Sequence, residues 1–409
     1  MILKKLMLTV GSLALATSPA MAQKFPDVAK TPPMGWNSWN HYGCNVDEDL
    51  IRKTADAMVA NGMRDAGYVY VNIDDCWQGE RDENGFIQPD PSRFPSGMKA
   101  LADYVHARGL KFGIYSDAGS ATCGGRAGSQ GYEYQDAIQY ARWGVDYLKY
   151  DWCNTGEGPA QRNPREAYAT MRDALYKAGR PVVFSICEWG DNKPWEWAQD
   201  VGHLWRTTGD ITNCWSCQLG HGTWYSLGIL EILDKQAELR NVAGPGHWND
   251  PDMMEVGNLP SLAENRSHFA MWAMLAAPLI AGTDVVGMKP EIAEILNSPH
   301  IIAIDQDPLG IQGFPWMKTP ELEVWARPLS EDRWAVAVLN RSSVARTHAI
   351  DWKAEPLSDG LSQRSAKLNE RKMQIMDAWT GKVRGDTGTE LKVSVGPRDT
   401  AVFILEPKK

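Results

Sequence analysis

The chain has 409 residues, 43% of them hydrophobic and 23% charged, which is enough apolar material for a large core and too much length for one small domain. Its 42 Lys and Arg against 51 Asp and Glu leave a net charge of −9 without any basic run, which excludes a nucleic-acid partner held by phosphate contacts and recruitment to an anionic membrane. Eighteen Trp stand out, because indole faces stack on the C–H faces of sugar rings, although Trp is equally a core residue.

Taken in chain order, residues 1–22 have the layout of a secretory signal peptide: Lys4 and Lys5, an apolar stretch over 6–16, and Ala20-Met21-Ala22 as a small-x-small cleavage site before Gln23. The stretch is too short to span a bilayer, and no later segment runs 18 apolar residues, so no membrane partner is expected. The destination is periplasmic or extracellular; no Cys follows the cleavage site, which argues against a lipoprotein. Export makes disulfides permissible. The seven cysteines, Cys44, Cys76, Cys123, Cys153, Cys187, Cys214 and Cys217, are odd in number, so at least one stays unpaired, and their connectivity is open from sequence. Cys214-x-x-Cys217 has no second ligand pair at zinc spacing and no His-Glu-x-x-His occurs, so no metal is expected.

From about Thr31 to Asp305, short apolar runs alternate with longer amphipathic ones, the pattern of a parallel sheet with crossover helices. Strands are expected over 34–37, 68–73, 110–115, 145–150, 182–186, 204–207, 246–248 and 278–281, and helices over 49–66, 98–108, 132–143, 164–178, 223–241 and 262–276. Eight strands with interleaved helices indicate an α/β fold, a closed (β/α)8 TIM barrel spanning 23–313. Beyond Gly313 the texture changes. Short alternating strands over 324–328, 334–339, 348–352, 375–379, 391–395 and 401–405, separated by polar turns, indicate a C-terminal antiparallel β-sandwich spanning 314–409.

Barrel chemistry gathers where the strands end. Here the runs finish Asn72-Ile73-Asp74-Asp75-Cys76-Trp77, Tyr115-Ser116-Asp117, Lys149-Tyr150-Asp151-Trp152-Cys153, Cys187-Glu188-Trp189 and Arg206-Thr207-Thr208-Gly209-Asp210. Singly, each has an ordinary reading as a helix cap, a turn or an ion pair. Together, at the same end of consecutive strands, they read as one site. Side chains alternate along a strand, so Lys149 and Asp151 point the same way, and the ammonium is expected to hold Asp151 ionised as a nucleophile requires. Asp210, between Gly209 and apolar Ile211, is expected to be partly desolvated and suited to acid work. Hydrolysis of a glycoside with retention needs two such carboxyl groups about 5–5.5 Å apart.

The same residues resemble glycoside hydrolase family 27, the α-galactosidases. The similarity rests on Pro32-Pro33-Met34-Gly35-Trp36-Asn37-Ser38-Trp39, Ile73-Asp74-Asp75-Cys76-Trp77, Gly113-Ile114-Tyr115-Ser116-Asp117, Lys149-Tyr150-Asp151-Trp152-Cys153, Cys187-Glu188-Trp189, Trp205-Arg206-Thr207-Thr208-Gly209-Asp210-Ile211 and Trp248-Asn249-Asp250-Pro251-Asp252-Met253. The resemblance implies a retaining exo-α-galactosidase without a cofactor. Asp151 would be its nucleophile and Asp210 its acid/base. It implies that Asp74 and Asp75 bind the 4- and 6-hydroxyls, Lys149 the 3-hydroxyl region, and Glu188 with Arg206 the 2-hydroxyl. Trp39, Tyr115, Cys123, Cys153, Trp189, Asp252 and Met253 would complete the pocket. It also implies the disulfides Cys44–Cys76 and Cys123–Cys153, and a free Cys187, because Gly202 stands where the animal enzymes carry that cysteine's partner.

The substrate partner is then an α-galactoside. The paired carboxylates of Asp74 and Asp75 suit the axial 4-hydroxyl, and a site built to pair a hydroxyl rejects a ligand lacking it. Glu188 fills the space that a smaller residue opens in α-N-acetylgalactosaminidases. Asp at both 74 and 75 differs from the β-L-arabinopyranosidases, which enlarge one of the pair to Glu. A non-catalytic sugar-binding protein would lack one of the two acids, and both are present. A leaving-group subsite is expected within 213–223, which holds Cys214, Trp215 and Cys217; oligomeric state is not fixed by sequence.

Overall fold

The structure, a computed structural model, describes residues 24–354, 356–368 and 370–408, so the signal-peptide reading of 1–22 lies outside the described residues. Eight short strands, six of them ending in a polar or charged residue, form the barrel: β1 Met34–Asn37, β2 Tyr70–Asn72, β3 Lys111–Asp117, β4 Tyr147–Asp151, β5 Val183–Ile186, β6 Leu204–Arg206, β7 Trp248–Asp250 and β8 Leu279–Ala281. All their pairings are parallel, in the spatial order β7-β6-β5-β4-β3-β2-β1-β8. The two ends of that series meet. Met254, just past β7, bridges Ala281 of β8; its N–H donates to the Ile280 carbonyl at 2.7 Å and its carbonyl accepts from Gly282 at 2.9 Å. The sheet is a closed barrel.

Around it run α1 Glu48–Ala60, α2 Gly97–His106, α3 Glu133–Trp143, α4 Pro164–Ala178, α5 Ile229–Ala237, α6 Leu262–Leu275, α7 Pro290–Leu296 and α8 Pro299–Asp305. Local chemistry sets several of their starts. Asp47, Asn163 and Ser261 accept the N–H of the third residue on, and Pro164 takes the first helical position, where its missing donor costs nothing. Between β5 and β6 the crossover is made by two 3-10 turns, Pro194–Glu196 and Ala198–Asp200, in place of an α-helix.

Two helical expectations change. The helix over 49–66 breaks after Ala60, because Gly62 takes φ 83°, and resumes briefly as Met63–Ala66. The helix over 223–241 begins only at Ile229. Its first part is a hairpin, Gln218–Gly220 against Tyr225–Leu227, turned at Gly222 with φ 86°. The apolar positions there serve a strand that pairs with Asp210–Ile211 rather than a helix face. The seventh strand also sits slightly later than the 246–248 expected.

The C-terminal part adds β9 Phe314–Lys318, β10 Leu322–Pro328, β11 Trp334–Asn340, β12 Arg346–Ile350, β13 Met373–Asp377, β14 Val383–Asp386, β15 Leu391–Val395 and β16 Thr400–Pro407. Six form one antiparallel sheet in the order β9-β10-β11-β16-β13-β14, and β12 pairs with β15 in a second layer. Val324, Val336, Val338, Ile375, Phe403 and Leu405 pack with Ile350, Trp352, Leu391 and Val393 between the layers. The other face of its central strands β10, β11 and β16 is largely buried too. Trp325, Ala335, Ala337, Leu339, Val402 and Ile404 join the barrel core, where α6 lies against β10, β11 and β16.

Polar residues on that face are paired. The buried Glu323 carboxylate accepts from Trp325 Nε1 at 2.9 Å, Lys318 at 2.8 Å and Arg341 at 2.7 Å, while Arg341 also bonds Asp234 of α5 at 2.7 Å. Arg327 is fully buried. It donates to the carbonyls of Ile311 at 2.9 Å and Asp305 at 3.2 Å and to that of Ala273, and burial draws its pKa down to about 10 against the field of Asp305 and Asp307. Removing one member of a buried charged network strands the others. We therefore expect Arg327→Ala to lower the free energy of unfolding by about 3 kcal/mol in denaturant titration; a change below about 1 kcal/mol would show that the network adds nothing net.

Candidate active site

The carboxyl ends of the barrel strands surround a cleft of about 520 Å³. Its floor is set by β1, β2 and β4. The Asp74 carboxylate accepts from Asn37 Nδ2 at 2.7 Å, from Lys149 Nζ at 2.9 Å and from the Asp75 N–H at 2.9 Å. Asp75 accepts the N–H groups of Cys76 and Gly124, each at 2.6 Å. Gly124 is required for that approach, since a Cβ there would lie 2.9 Å from the Asp75 oxygen. Lys149, also held 5.2 Å from the centre of the Tyr115 ring, is deeply buried, and Asp74 leads the charges that keep it protonated against burial.

Asp151 ends β4 and accepts one backbone bond, from the Trp152 N–H at 3.0 Å. Burial pushes its pKa up to about 6; Lys149 opposes that, and Asp210 and Asp74 reinforce it. The expectation that Lys149 simply lowers the Asp151 pKa is corrected accordingly. The ammonium bonds Asp74, and desolvation outweighs its pull on Asp151. Asp210 is corrected as well. Its side chain is 40% exposed and accepts from Arg206 Nη2 at 3.0 Å, so it is solvated and ion-paired rather than desolvated. Arg206 is shared: it also bonds Asp252 at 2.8 Å and the Thr208 carbonyl at 3.1 Å. Asp252 in turn accepts the N–H groups of Ile211 at 2.8 Å and Met253 at 2.7 Å.

Of the residues singled out in the sequence, Trp39, Asp74, Asp75, Tyr115, Cys123, Lys149, Asp151, Trp189, Arg206, Asp210, Asp252 and Met253 all line this cleft. Glu188 and Cys153 are not on its wall. Glu188 is buried behind it, with one oxygen accepting from the backbone and side chain of Asn192 at 2.6 and 2.8 Å and the other unpartnered; burial raises its pKa to about 7. Cys153 is turned away in its bond to Cys123. The disulfides Cys44–Cys76 and Cys123–Cys153 are present, Cys214 and Cys217 form a third, and Cys187 is free and buried, 3.6 Å from Arg206.

Sequence reasoning passed over several residues. Asn37 anchors Asp74, and the strand ending in Asn37 was a signal for it. Asp117 sits behind Asp151, accepting from the N–H groups of Gly119 at 2.6 Å and Cys153 at 2.9 Å. Burial and the neighbouring Asp151 charge push its pKa well up. Asp117 also lies against the sulfurs of Cys123 and Cys153, a metal-like grouping whose sulfurs are bonded to each other and hold no free thiolate. Finally, Trp224 and Ser226 of the hairpin reach the cleft, beside His221 from the stretch 213–223 where a leaving-group subsite was expected. The backbone around the site is strained: Cys76, Trp189 and Asp252 have φ of 76°, 58° and 88° without being glycine.

The chain is similar to known proteins over nearly its whole length. Residues 31–307 match the family described as "Alpha galactosidase A", and 319–405 match "Alpha galactosidase C-terminal beta sandwich domain". The chain is 56% identical over 407 residues to "Alpha-galactosidase A" of Cellvibrio japonicus (strain Ueda107), covering 99% of this chain and 100% of that one. It is 43% identical to an alpha-galactosidase of Cyamopsis tetragonoloba, covering 93% and 87% respectively. Among solved structures, the Saccharomyces cerevisiae alpha-galactosidase with raffinose superposes with a TM-score of 0.86 at 31% identity, over 94% of this chain and 99% of that one.

The raised Asp151 pKa has a consequence for stability. A carboxyl whose folded pKa exceeds its unfolded value favours folding fully only below the unfolded value, and that contribution is lost as pH rises through the folded one. Between about pH 4 and 6 the buried charge is thus a growing liability. Asp151→Asn is expected to be more stable than the parent at pH 7.5, by about 2–3 kcal/mol, with the gap closing by pH 4. Thermal unfolding at both pH values checks this, and a variant less stable at pH 7.5 would contradict it.

Proposed function

The chain belongs to glycoside hydrolase family 27, the α-galactosidases, and from that premise we propose that Asp151 and Asp210 perform its double displacement. The enzyme is a retaining exo-α-galactosidase. In the first step an Asp151 oxygen bonds the anomeric carbon as the glycosidic C–O bond breaks, and the departing oxygen takes a proton from Asp210. In the second, water gives a proton back to Asp210 and its oxygen displaces Asp151, so galactose leaves with its α configuration.

The observation that carries this reading is the placing of both acids on one cleft with opposite surroundings. Asp151 is buried and only singly hydrogen-bonded, which leaves a reactive oxygen. Asp210 stands at the rim and shares Arg206 with Asp252, so neither carboxylate has the cation to itself. A sugar filling the cleft strips water from Asp210. Asp74 and Asp75, pinned by backbone N–H groups and Lys149, offer fixed acceptors to the galactose 4- and 6-hydroxyls, and Lys149 a donor near the 3-hydroxyl. For the 2-hydroxyl, Arg206 on the wall is the better placed of the two nominated residues, since Glu188 is bonded to Asn192 behind it.

The protein is exported in this reading. The signal-like leader and three disulfides among the described residues support an oxidising compartment. Mass spectrometry of secreted material should give an N-terminus at Gln23; cytoplasmic protein beginning at Met1 would oppose export. For the chemistry, proton NMR of early turnover should show α-galactose first, and Asp151→Ala should lose about 10³-fold or more in kcat while still binding galactose. A β-anomer first, or a variant keeping most of its activity, would remove Asp151 from the nucleophile's role.

A further inference from the structure

Beside Asp210 the barrel carries a small appendage. The strand Tyr225–Leu227 pairs with Asp210–Ile211, Ser226 opposite Asp210 itself, and turns back antiparallel onto Gln218–Gly220. Its root is fixed. The Cys214–Cys217 disulfide closes it, and the Cys217 N–H donates to Glu231 at 3.0 Å. Ser216 Oγ also donates to Glu231, at 2.5 Å, and buried Trp215 donates to the Arg341 carbonyl at 3.2 Å. Trp215 is thus an anchor in the sandwich, not a wall of the cleft.

The tip is different. Trp224 is 52% exposed and lines the cleft, with the His221 imidazole stacked on it at 4.0 Å between ring centres and 27° between planes. His221 is itself locked, its Nε2 2.9 Å from Ser226 Oγ and its N–H donating to the Trp224 carbonyl at 2.8 Å. A lone exposed aromatic needs no explanation. An indole braced by a second ring, at the mouth of a catalytic cleft and two residues from the strand position opposite the acid, does.

We propose that Trp224 is the stacking platform of a leaving-group subsite, and that the leaving group is a pyranose, as in an oligosaccharide or polysaccharide. The proposal rests on the α-galactosidase reading and extends it outward from the cleaved bond. The C–H face of a pyranose matches a flat indole, while its hydroxyls meet Thr212, Asn213 and Ser226, which share that wall. A lipid aglycone would want an apolar groove, and these neighbours are polar. The ring is held before substrate arrives, so little side-chain freedom is lost on stacking.

The test compares substrates that differ only in what departs: α-galactosyl fluoride, whose leaving group has no ring, galactosyl-α-1,6-glucose, and octyl α-galactoside. Trp224→Ala should lower the ratio of disaccharide to fluoride kcat/KM about tenfold, chiefly through KM of the disaccharide. Trp224→Phe, which keeps a flat ring, should recover most of it. The kcat/KM of the unsubstituted enzyme on the fluoride reports on attack by Asp151, since fluoride needs little proton help to depart, and so checks the underlying reading separately. An unchanged ratio in Trp224→Ala overturns the platform. A larger loss on the octyl glycoside than on the disaccharide overturns the pyranose assignment in favour of a lipid. Matching thermal midpoints for the variants exclude unfolding as the cause of a change.

Discussion

Asp74, Asp75, Asp151, Asp210 and Asp252 face one cleft whose only strong cations among the described residues are Lys149 and Arg206, and the rest of the site follows from how that imbalance is managed. Each cation is committed first to a supporting carboxylate, Lys149 to Asp74 and Arg206 to Asp252, and only secondarily to a reacting one. Asp151 therefore stays short of compensation, and Asp210 has a partner it must share. Poorly neutralised charge in a dry place is costly to the fold and useful at a reaction centre, where the transition state can repay it by developing positive charge at the anomeric carbon.

Holding such groups together requires a frame that does not yield. The frame here is the closed sheet, with backbone amides of Cys76, Gly124, Trp152 and Met253 pointed at the carboxylates and left-handed residues at Cys76, Trp189 and Asp252 turning the chain to aim them. Disulfides fall at the same places. Cys76 follows the Asp74–Asp75 pair and Cys153 follows Asp151, so two of the three bridges tie the segment just after a functional strand to the loop opposite. Asp117 adds a further brace by accepting from the Cys153 N–H.

Much of this was legible in the sequence because parallel strands are short apolar runs and their ends here are written in Asp, Lys and Trp. Residue identity was legible; environment was not. An ion pair was one ordinary reading of Arg206-x-x-x-Asp210, but the flanking Gly209 and Ile211 led Asp210 to be read as desolvated, when it is paired. Glu188 was nominated by its motif, but its side chain turns to Asn192. The strand Tyr225–Leu227 was taken into the helix expected over 223–241, because Trp224, Leu227 and Leu230 also fit a helical stripe; Gly220 and Gly222 just before it are the turn signal of the hairpin that forms instead. In the sandwich, β10 and β11 are buried on both faces, since Glu323 and Arg327, which look solvent-facing, lie against the barrel.

That doubly covered sheet has a consequence for how the protein can be divided. Where two modules are joined by a linker, each keeps its own interior and can be exchanged or trimmed. Here Trp325, Val402 and Ile404 complete an interior that α6 begins. The boundary seen along the chain, between Asp305 and Phe314, is a change of architecture without being a seam. A barrel cut free at that point would present the oily side of α6 to water, so the sandwich is as much a lid on the catalytic half's core as a module in its own right.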